Sequence, residues 1–342
     1  MKNRQLLSLR YRTTALLILL TIGHCANAAS YRYQKPFITV AELQQLINTG
    51  NVKVIDSVIS GNVPVPDSKV YLSSYYGKFD LLMQIFQDTE YTNKHIPNAI
   101  PLNLNIACYP GLFQRYELYP PNIFERLLRK LGINDSDRIV VYDRNSLGGM
   151  LHAARIWLIL KYYGVKNVQI LYGGLEAWER SGNAVTNART PFESGNFKAT
   201  TNPEFIITFE ELEARNADGE ALIDSFETIN VYDVRSADQY SGRTHVAYPA
   251  SEILRGSHIK GAKNLPLISM FNQTYGLKKA SLLIDALNRA GYLPGKPIIL
   301  YCNSGNQAAL MMVILYSTGI ENLKIYQGGM TEMALRDPER IA

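Results

Sequence analysis

Short apolar runs bounded by Gly, Asn and Asp alternate along this 342-residue chain with longer stretches whose apolar residues recur at helical spacing. After an extended lead-in over 31–39, the spacing predicts a helix over Val40–Asn48 and a strand within 52–58 ending at Asp56. A Pro-rich loop is expected over 61–69 and a helix over 77–88. His95 then opens H-I-P-N-A-I-P-L-N-L, a turn running into a strand, and a helix is expected over 122–131. The run D-R-I-V-V-Y-D over 137–143 reads as a buried strand, 151–163 as an apolar helix, and 168–171 as a strand before G-G-L-E-A-W.

The same order then recurs. A strand within 222–234 ends at Asp233, His258 opens H-I-K-G-A-K-N-L-P-L, and a helix is expected over 282–290. Ile298–Tyr301 is a strand, 310–316 a helix and Leu323–Tyr326 the last strand, before G-G-M-T-E. The pairing of H-I-P-N-A-I-P-L-N-L with H-I-K-G-A-K-N-L-P-L marks an internal duplication. Between the copies, 182–203 is rich in Asn, Thr, Gly and Pro, lacks periodicity and reads as a linker. Strands alternating with helices predict two α/β domains with mostly parallel sheets, over 29–181 and 204–342.

The chemistry concentrates in 297–309, P-I-I-L-Y-C-N-S-G-N-Q-A-A, where Cys302 stands between a strand and a helix. A loop curling from Cys302 to Gln307 into a helix start would aim free backbone N–H groups, aided by the helix dipole, at the sulfur. Such a cradle favours a thiolate nucleophile. The competing reading is a buried structural thiol at a strand end. The copies differ at this very place: the first has Y-D-R-N-S-L-G-G, with Asp143 opposite Cys302. A carboxylate is no sulfur nucleophile and would itself fill an amide cradle, so only the C-terminal half is expected to react. Asp233 and Arg235, beside the active strand, are expected to brace the loop as a buried ion pair.

Composition adds little until the N-terminus is considered. Hydrophobic content of 46% and charged content of 19% are those of a globular protein. Lys2, Arg4, Arg10 and Arg12 precede an apolar run over 15–22 and the small residues Ala26-Asn27-Ala28, the pattern of a secretory signal peptide over 1–28. Its apolar run is too short to span a bilayer. Removing four positive charges and no acidic one brings the net charge of +5 to near +1, which leaves no electrostatic case for nucleic acid. The expected protein is therefore exported, periplasmic or secreted, with no membrane span after cleavage. Cys108 and Cys302 would remain, in a compartment that permits a disulfide; both are expected to be free.

Taken in order, the strand ending at Asp56, H-I-P-N-A, L-G-I-N-D-S-D-R-I-V-V-Y-D, A-A-R-I-W, G-G-L-E-A-W, V-Y-D-V-R, H-I-K-G-A-K-N, Y-C-N-S-G-N-Q-A and Y-Q-G-G-M-T-E-M resemble a tandem-domain rhodanese-type sulfurtransferase, the group of thiosulfate and 3-mercaptopyruvate sulfurtransferases. The resemblance implies two rhodanese-like domains, the first non-catalytic, and a Cys302 that takes a sulfane sulfur as a persulfide. That sulfur passes to a thiol or cyanide-like acceptor, with a partner protein as a further possible acceptor. No metal and no organic cofactor is implied. Asn303, Ser304, Gly305, Asn306 and Gln307 would then bind the anionic substrate through their amides, with Arg243 and Arg255 as nearby cations. The family's substrate arginine falls on Gln239, and its loop threonine on Gln307. Met330 and Met333 stand where tryptophans are usual, implying a softer pocket wall. His95 occupies the place of a histidine that assists the loop serine as acid or base, whereas His258, Trp157 and Trp178 read as structural. Related phosphatases end their cysteine loop on an arginine; Ala308, Ala309 and Leu310 exclude that chemistry. A non-catalytic persulfide carrier is the other alternative.

Overall fold

The computed structural model describes residues 35–58, 64–87, 89–144, 147–244 and 257–342. The expected signal segment lies outside them. Two five-stranded sheets, every pairing parallel, carry the chain. The strands in chain order are β1 Phe37–Ile38, β2 Lys53–Val58, β3 Ile100–Asn103, β4 Cys108–Tyr109, β5 Glu117–Leu118, β6 Arg138–Tyr142, β7 Asn167–Leu171, β8 Ile206–Ile207, β9 Asn230–Asp233, β10 Lys263–Asn264, β11 Ile298–Tyr301 and β12 Leu323–Tyr326. The first sheet runs β1-β7-β6-β2-β3 and the second β10-β9-β11-β12-β8, mirror readings of one topology. Thus β11, which delivers Cys302, is central in its sheet, as β6 is in the other.

The duplication extends further than the strand patterns suggested. Both copies open with a two-residue strand and a capping box: F-I-T-V-A-E-L places Thr39 and Glu42, and I-I-T-F-E-E-L places Thr208 and Glu211, at matching positions. β1 and β8 are too short to show a period, and only the sheet reveals them. The Pro-rich stretch is shorter than expected, because Asp67 caps a helix over Ser68–Ser74. The helix expected over 77–88 is shorter, Phe79–Ile85, and a further short helix, Thr89–Asn93, follows it.

Two helices are buried almost all round, Leu151–Tyr162 and Asn306–Ser317. Each carries an unbroken buried run, residues 153–160 and 308–315, which an exposed face would interrupt. They pack on each other, so one hydrophobic core runs through both halves, from Trp157 and Phe124 to Leu310 and Ile325. Burying a side chain such as Leu310 or Ile314 contributes about 1.5–3 kcal/mol. The first half is therefore fastened directly behind the helix that leaves the Cys302 loop. Trp157 and Trp178 are core residues whose indole N–H groups donate to the carbonyls of Val168 and Ala184.

Candidate active site

Cys302 follows β11 directly and is only 3% exposed. The chain turns over Asn303, Ser304 and Gly305, and the helix begins at Asn306. Gly305 is the helix N-cap at φ +88°, and its N–H donates to Cys302 Sγ at 3.1 Å. A side chain there would be strained, and a Cβ would stand 2.9 Å from Arg155 Nη1 and 3.0 Å from the Gln327 carbonyl oxygen. The loop is held from below by the start of the helix Gly329–Arg336: Met330 N–H donates to the Cys302 carbonyl at 2.9 Å and Thr331 N–H to that of Asn303 at 3.3 Å. Ser304 is buried, and the side-chain oxygens of Asn306, Gln307 and Thr331 are buried without a hydrogen-bond partner among the described residues.

Asp233 and Arg235 form a forked ion pair under this loop. Arg235 Nη2 lies 2.6 Å from Asp233 Oδ2 and Nε lies 3.0 Å from both carboxylate oxygens. The free edge of the guanidinium donates to Asn303 Oδ1 at 3.1 Å and to the Ser257 carbonyl at 2.5 Å. Burial pulls the Arg235 pKa down, and the hydrogen bonds and charge of Asp233 more than offset it, leaving it raised. The pair thus ties β9 to the cysteine loop while its charge is internally neutralised. Tyr301, opposite Asp233 in the sheet, accepts from Ile259 N–H through its hydroxyl, which burial first and Asp233 second keep protonated.

The other half shows the same frame filled differently. Asp143 stands where Cys302 does; its carbonyl accepts from Leu175 N–H as that of Cys302 does from Met330. Its carboxylate accepts from the N–H groups of Arg144 at 2.7 Å and His152 at 2.8 Å, with His152 Nδ1 at 3.2 Å. The cradle holds a carboxylate of its own. Here the helix starts at Leu151, so the loop is longer than its counterpart and the two do not superpose residue for residue. Arg144, from this loop, pairs with Asp56, which also accepts from Tyr142.

The structure places the remaining candidates and corrects the pocket role of Met330 and Met333. The His95 ring is fully buried in the first half, stacked on Tyr91, with Nδ1 2.7 Å from the Tyr91 carbonyl and Nε2 3.2 Å from that of Ala188. His258 repeats this on Tyr240. Met330 and Met333 do not line a pocket; the helix turns them into the core against Tyr326, Tyr301 and Leu212. Arg243 is exposed and paired with Asp238 at 2.6 Å. Arg255 lies outside the described residues. Cys108 and Cys302 are both free, and Cys108 sits at the base of a β4–β5 hairpin that the sequence did not reveal.

That hairpin brings the residues the sequence reading missed. Its loop places Gln114 between Gln327, which donates to it at 2.8 Å, and the buried Glu332, to which it donates at 3.1 Å. Arg155 from the first half donates to Gln327 Oε1 at 3.0 Å and the Tyr116 carbonyl at 3.4 Å. Its position in A-A-R-I-W, an arginine inside an otherwise apolar helix, was the available signal.

A rhodanese-like domain family matches residues 77–181 and again 208–335. The chain belongs to the rhodanese family. Among its relatives, a Caenorhabditis elegans protein, mpst-1, provisionally named a thiosulfate sulfurtransferase, is 33% identical over 87% of this chain and 92% of its own length. The 3-mercaptopyruvate sulfurtransferase of Escherichia coli K12 is 30% identical over 72% of this chain and 83% of its own. Thiosulfate sulfurtransferase of Bos taurus is 28% identical over 73% and 80%. The crystal structure of the Escherichia coli 3-mercaptopyruvate enzyme SseA covers 86% of this chain and 99% of its own at TM-score 0.65 and 24% identity, a likeness of fold. Within this rhodanese, no helix of the described residues is long and apolar enough to cross a membrane.

Proposed function

We propose that this rhodanese is a sulfurtransferase in which Cys302 carries the sulfur, moving it from a small anionic donor of the thiosulfate or 3-mercaptopyruvate type to a thiol or cyanide-like acceptor. The observation that carries the assignment is the Gly305 N–H directed at Cys302 Sγ at a helix start, in a chain whose relatives are named sulfurtransferases. With thiosulfate, the Cys302 thiolate attacks the outer sulfur, the S–S bond breaks, and sulfite leaves with the bonding pair. The persulfide anion remains among the loop amides, which stabilise it as hydrogen-bond donors. Cyanide then takes the outer sulfur as thiocyanate and returns the thiolate. The first half contributes no nucleophile, because Asp143 fills the matching position.

Asn303 to Gln307 supply the anion cradle in this proposal, and Asp233 with Arg235 holds it in shape. Arg243 is a candidate cation for the donor only by giving up Asp238, and Arg255 is a candidate from the sequence alone. Export follows from the N-terminal pattern, with cleavage after Ala28; N-terminal sequencing of protein recovered outside the cytoplasm tests it. For the chemistry, intact-protein mass spectrometry after incubation with thiosulfate or 3-mercaptopyruvate is expected to show one added sulfur. It is lost in Cys302→Ser and kept in Cys108→Ser. Equal labelling of Cys108, or none at Cys302, overturns the assignment. Repeated turnover with cyanide separates an enzyme from a persulfide carrier, which stops after one equivalent.

A further inference from the structure

An anionic donor needs positive charge at the site, and the cysteine loop itself contains no Lys or Arg. Among the described cations nearby, Arg235 is spent on Asp233, Arg243 on Asp238, and Arg336 on Glu210 and Glu332. Arg155 differs from all of these. It is fully buried, comes from the non-catalytic half, and among the described residues meets neutral partners: it donates to Gln327 Oε1 and the Tyr116 carbonyl and hydrogen-bonds the Cys108 thiol. Its Nε and Nη1 have no oxygen acceptor, and no carboxylate pairs with it among the described residues. A buried, uncompensated guanidinium is costly unless it meets an anion.

Its position brings it against the Cys302 loop. Nη1 lies 2.9 Å from where a Cβ of Gly305 would be, and Gly305 N–H is the donor to Cys302 Sγ. One glycine therefore separates the guanidinium from the sulfur. The absence of a side chain at Gly305 permits that approach. On its other side Arg155 faces the Cys108 thiol, whose pKa burial raises to about 11 against the lowering effect of Arg155, so that thiol is no counter-ion at neutral pH.

We infer that Arg155 is the specificity residue that makes the Cys302 site selective for anionic donors, a charge lent to the catalytic loop by the half that lacks a nucleophile. This rests on Cys302 being the reacting thiol, as proposed above. Gln327 is part of the device: as an amide it orients the guanidinium without neutralising it.

The test compares alkylation of Cys302 by iodoacetate, an anion, and iodoacetamide, its neutral analogue, located by peptide mapping. A merely structural role changes both rates together, whereas a charge changes their ratio. Arg155→Met should lower the iodoacetate-to-iodoacetamide ratio about three- to tenfold, as expected for losing one unit charge within ~10 Å after screening. Gln327→Glu should do the same while leaving Arg155 in place, and decides the matter if Arg155→Met does not fold. Arg155→Lys should keep the ratio within about twofold. An unchanged ratio in Gln327→Glu or Arg155→Met overturns the inference. Wild-type protein labelled by neither reagent at Cys302 instead overturns the proposed nucleophile.

Discussion

The duplicated frame contains its own control for the shape of the cysteine loop. Gly329, at φ +57°, faces the Cys302 carbonyl so closely that an added Cβ would stand 2.2 Å from it and 2.9 Å from the Asn303 carbonyl oxygen. In the other half, Gly174 has the same φ, and its Cβ would stand 2.2 Å from the Asp143 carbonyl and 2.9 Å from that of Gly149. Alanine at either position costs about 1–2 kcal/mol for a left-handed backbone. Relieving a 2.2 Å contact adds a displacement of roughly 1 Å in one strand end or the helix against it, worth a further ~1–3 kcal/mol. Both Gly329→Ala and Gly174→Ala should therefore lose about 2–5 kcal/mol in denaturant-induced unfolding, and by similar amounts.

Their effects on chemistry should separate. A shift of this size at Cys302 is expected to slow sulfur transfer from thiosulfate to cyanide by roughly a hundredfold in Gly329→Ala. Gly174→Ala displaces only Asp143, and its rate should stay within about twofold of wild type at a temperature where both variants are folded. Equal loss of rate in the two variants would mean that stability, not loop geometry, limits the reaction. An unaffected Gly329→Ala would show that the backbone position of Cys302 is not critical.

Two further outcomes follow from buried charge. Asp233→Asn leaves Arg235 buried without its carboxylate and should cost about 3–5 kcal/mol, measured by chemical denaturation, while Asp233→Asn combined with Arg235→Met should recover part of that; a loss below 1 kcal/mol would refute a bracing role. Cys108 has its pKa raised from 9.0 to about 11 by burial, so between those values the unfolded chain releases a proton that the folded one keeps. Stability is then unaffected by this group below pH 9 and falls as pH rises to 11, by roughly 2–3 kcal/mol. The stability difference between wild type and Cys108→Ala should shrink over that window, and a constant difference would contradict the buried, protonated thiol.

Much of the frame was legible from local pattern, since β2, β6, β7, β9, β11 and β12 are apolar runs with clear ends and the two His-Ile turns expose the duplication. Cys302 stood out because a strand, a Gly-containing polar loop and an apolar helix are contiguous in sequence. The short strands β1 and β8 were missed although their capping boxes were present, because two residues carry no period. The partners of His95 were not legible either, because its hydrogen bonds are to the carbonyls of Tyr91 and Ala188, the latter far along the chain.

By itself, then, the sequence determined the repeated α/β order, the candidate nucleophile and the half that has none, since these depend on residues within one turn or strand of one another. Which cations are free depended on pairing between distant segments, and only the tertiary structure decided it. Arg235 is neutralised by Asp233 and Arg243 by Asp238, while Arg155, from the far half, is buried against Gly305 with no carboxylate partner among the described residues. Charge compensation is a property of packing, and the shared core that presses one half's helix behind the other half's loop is what brings it to the site.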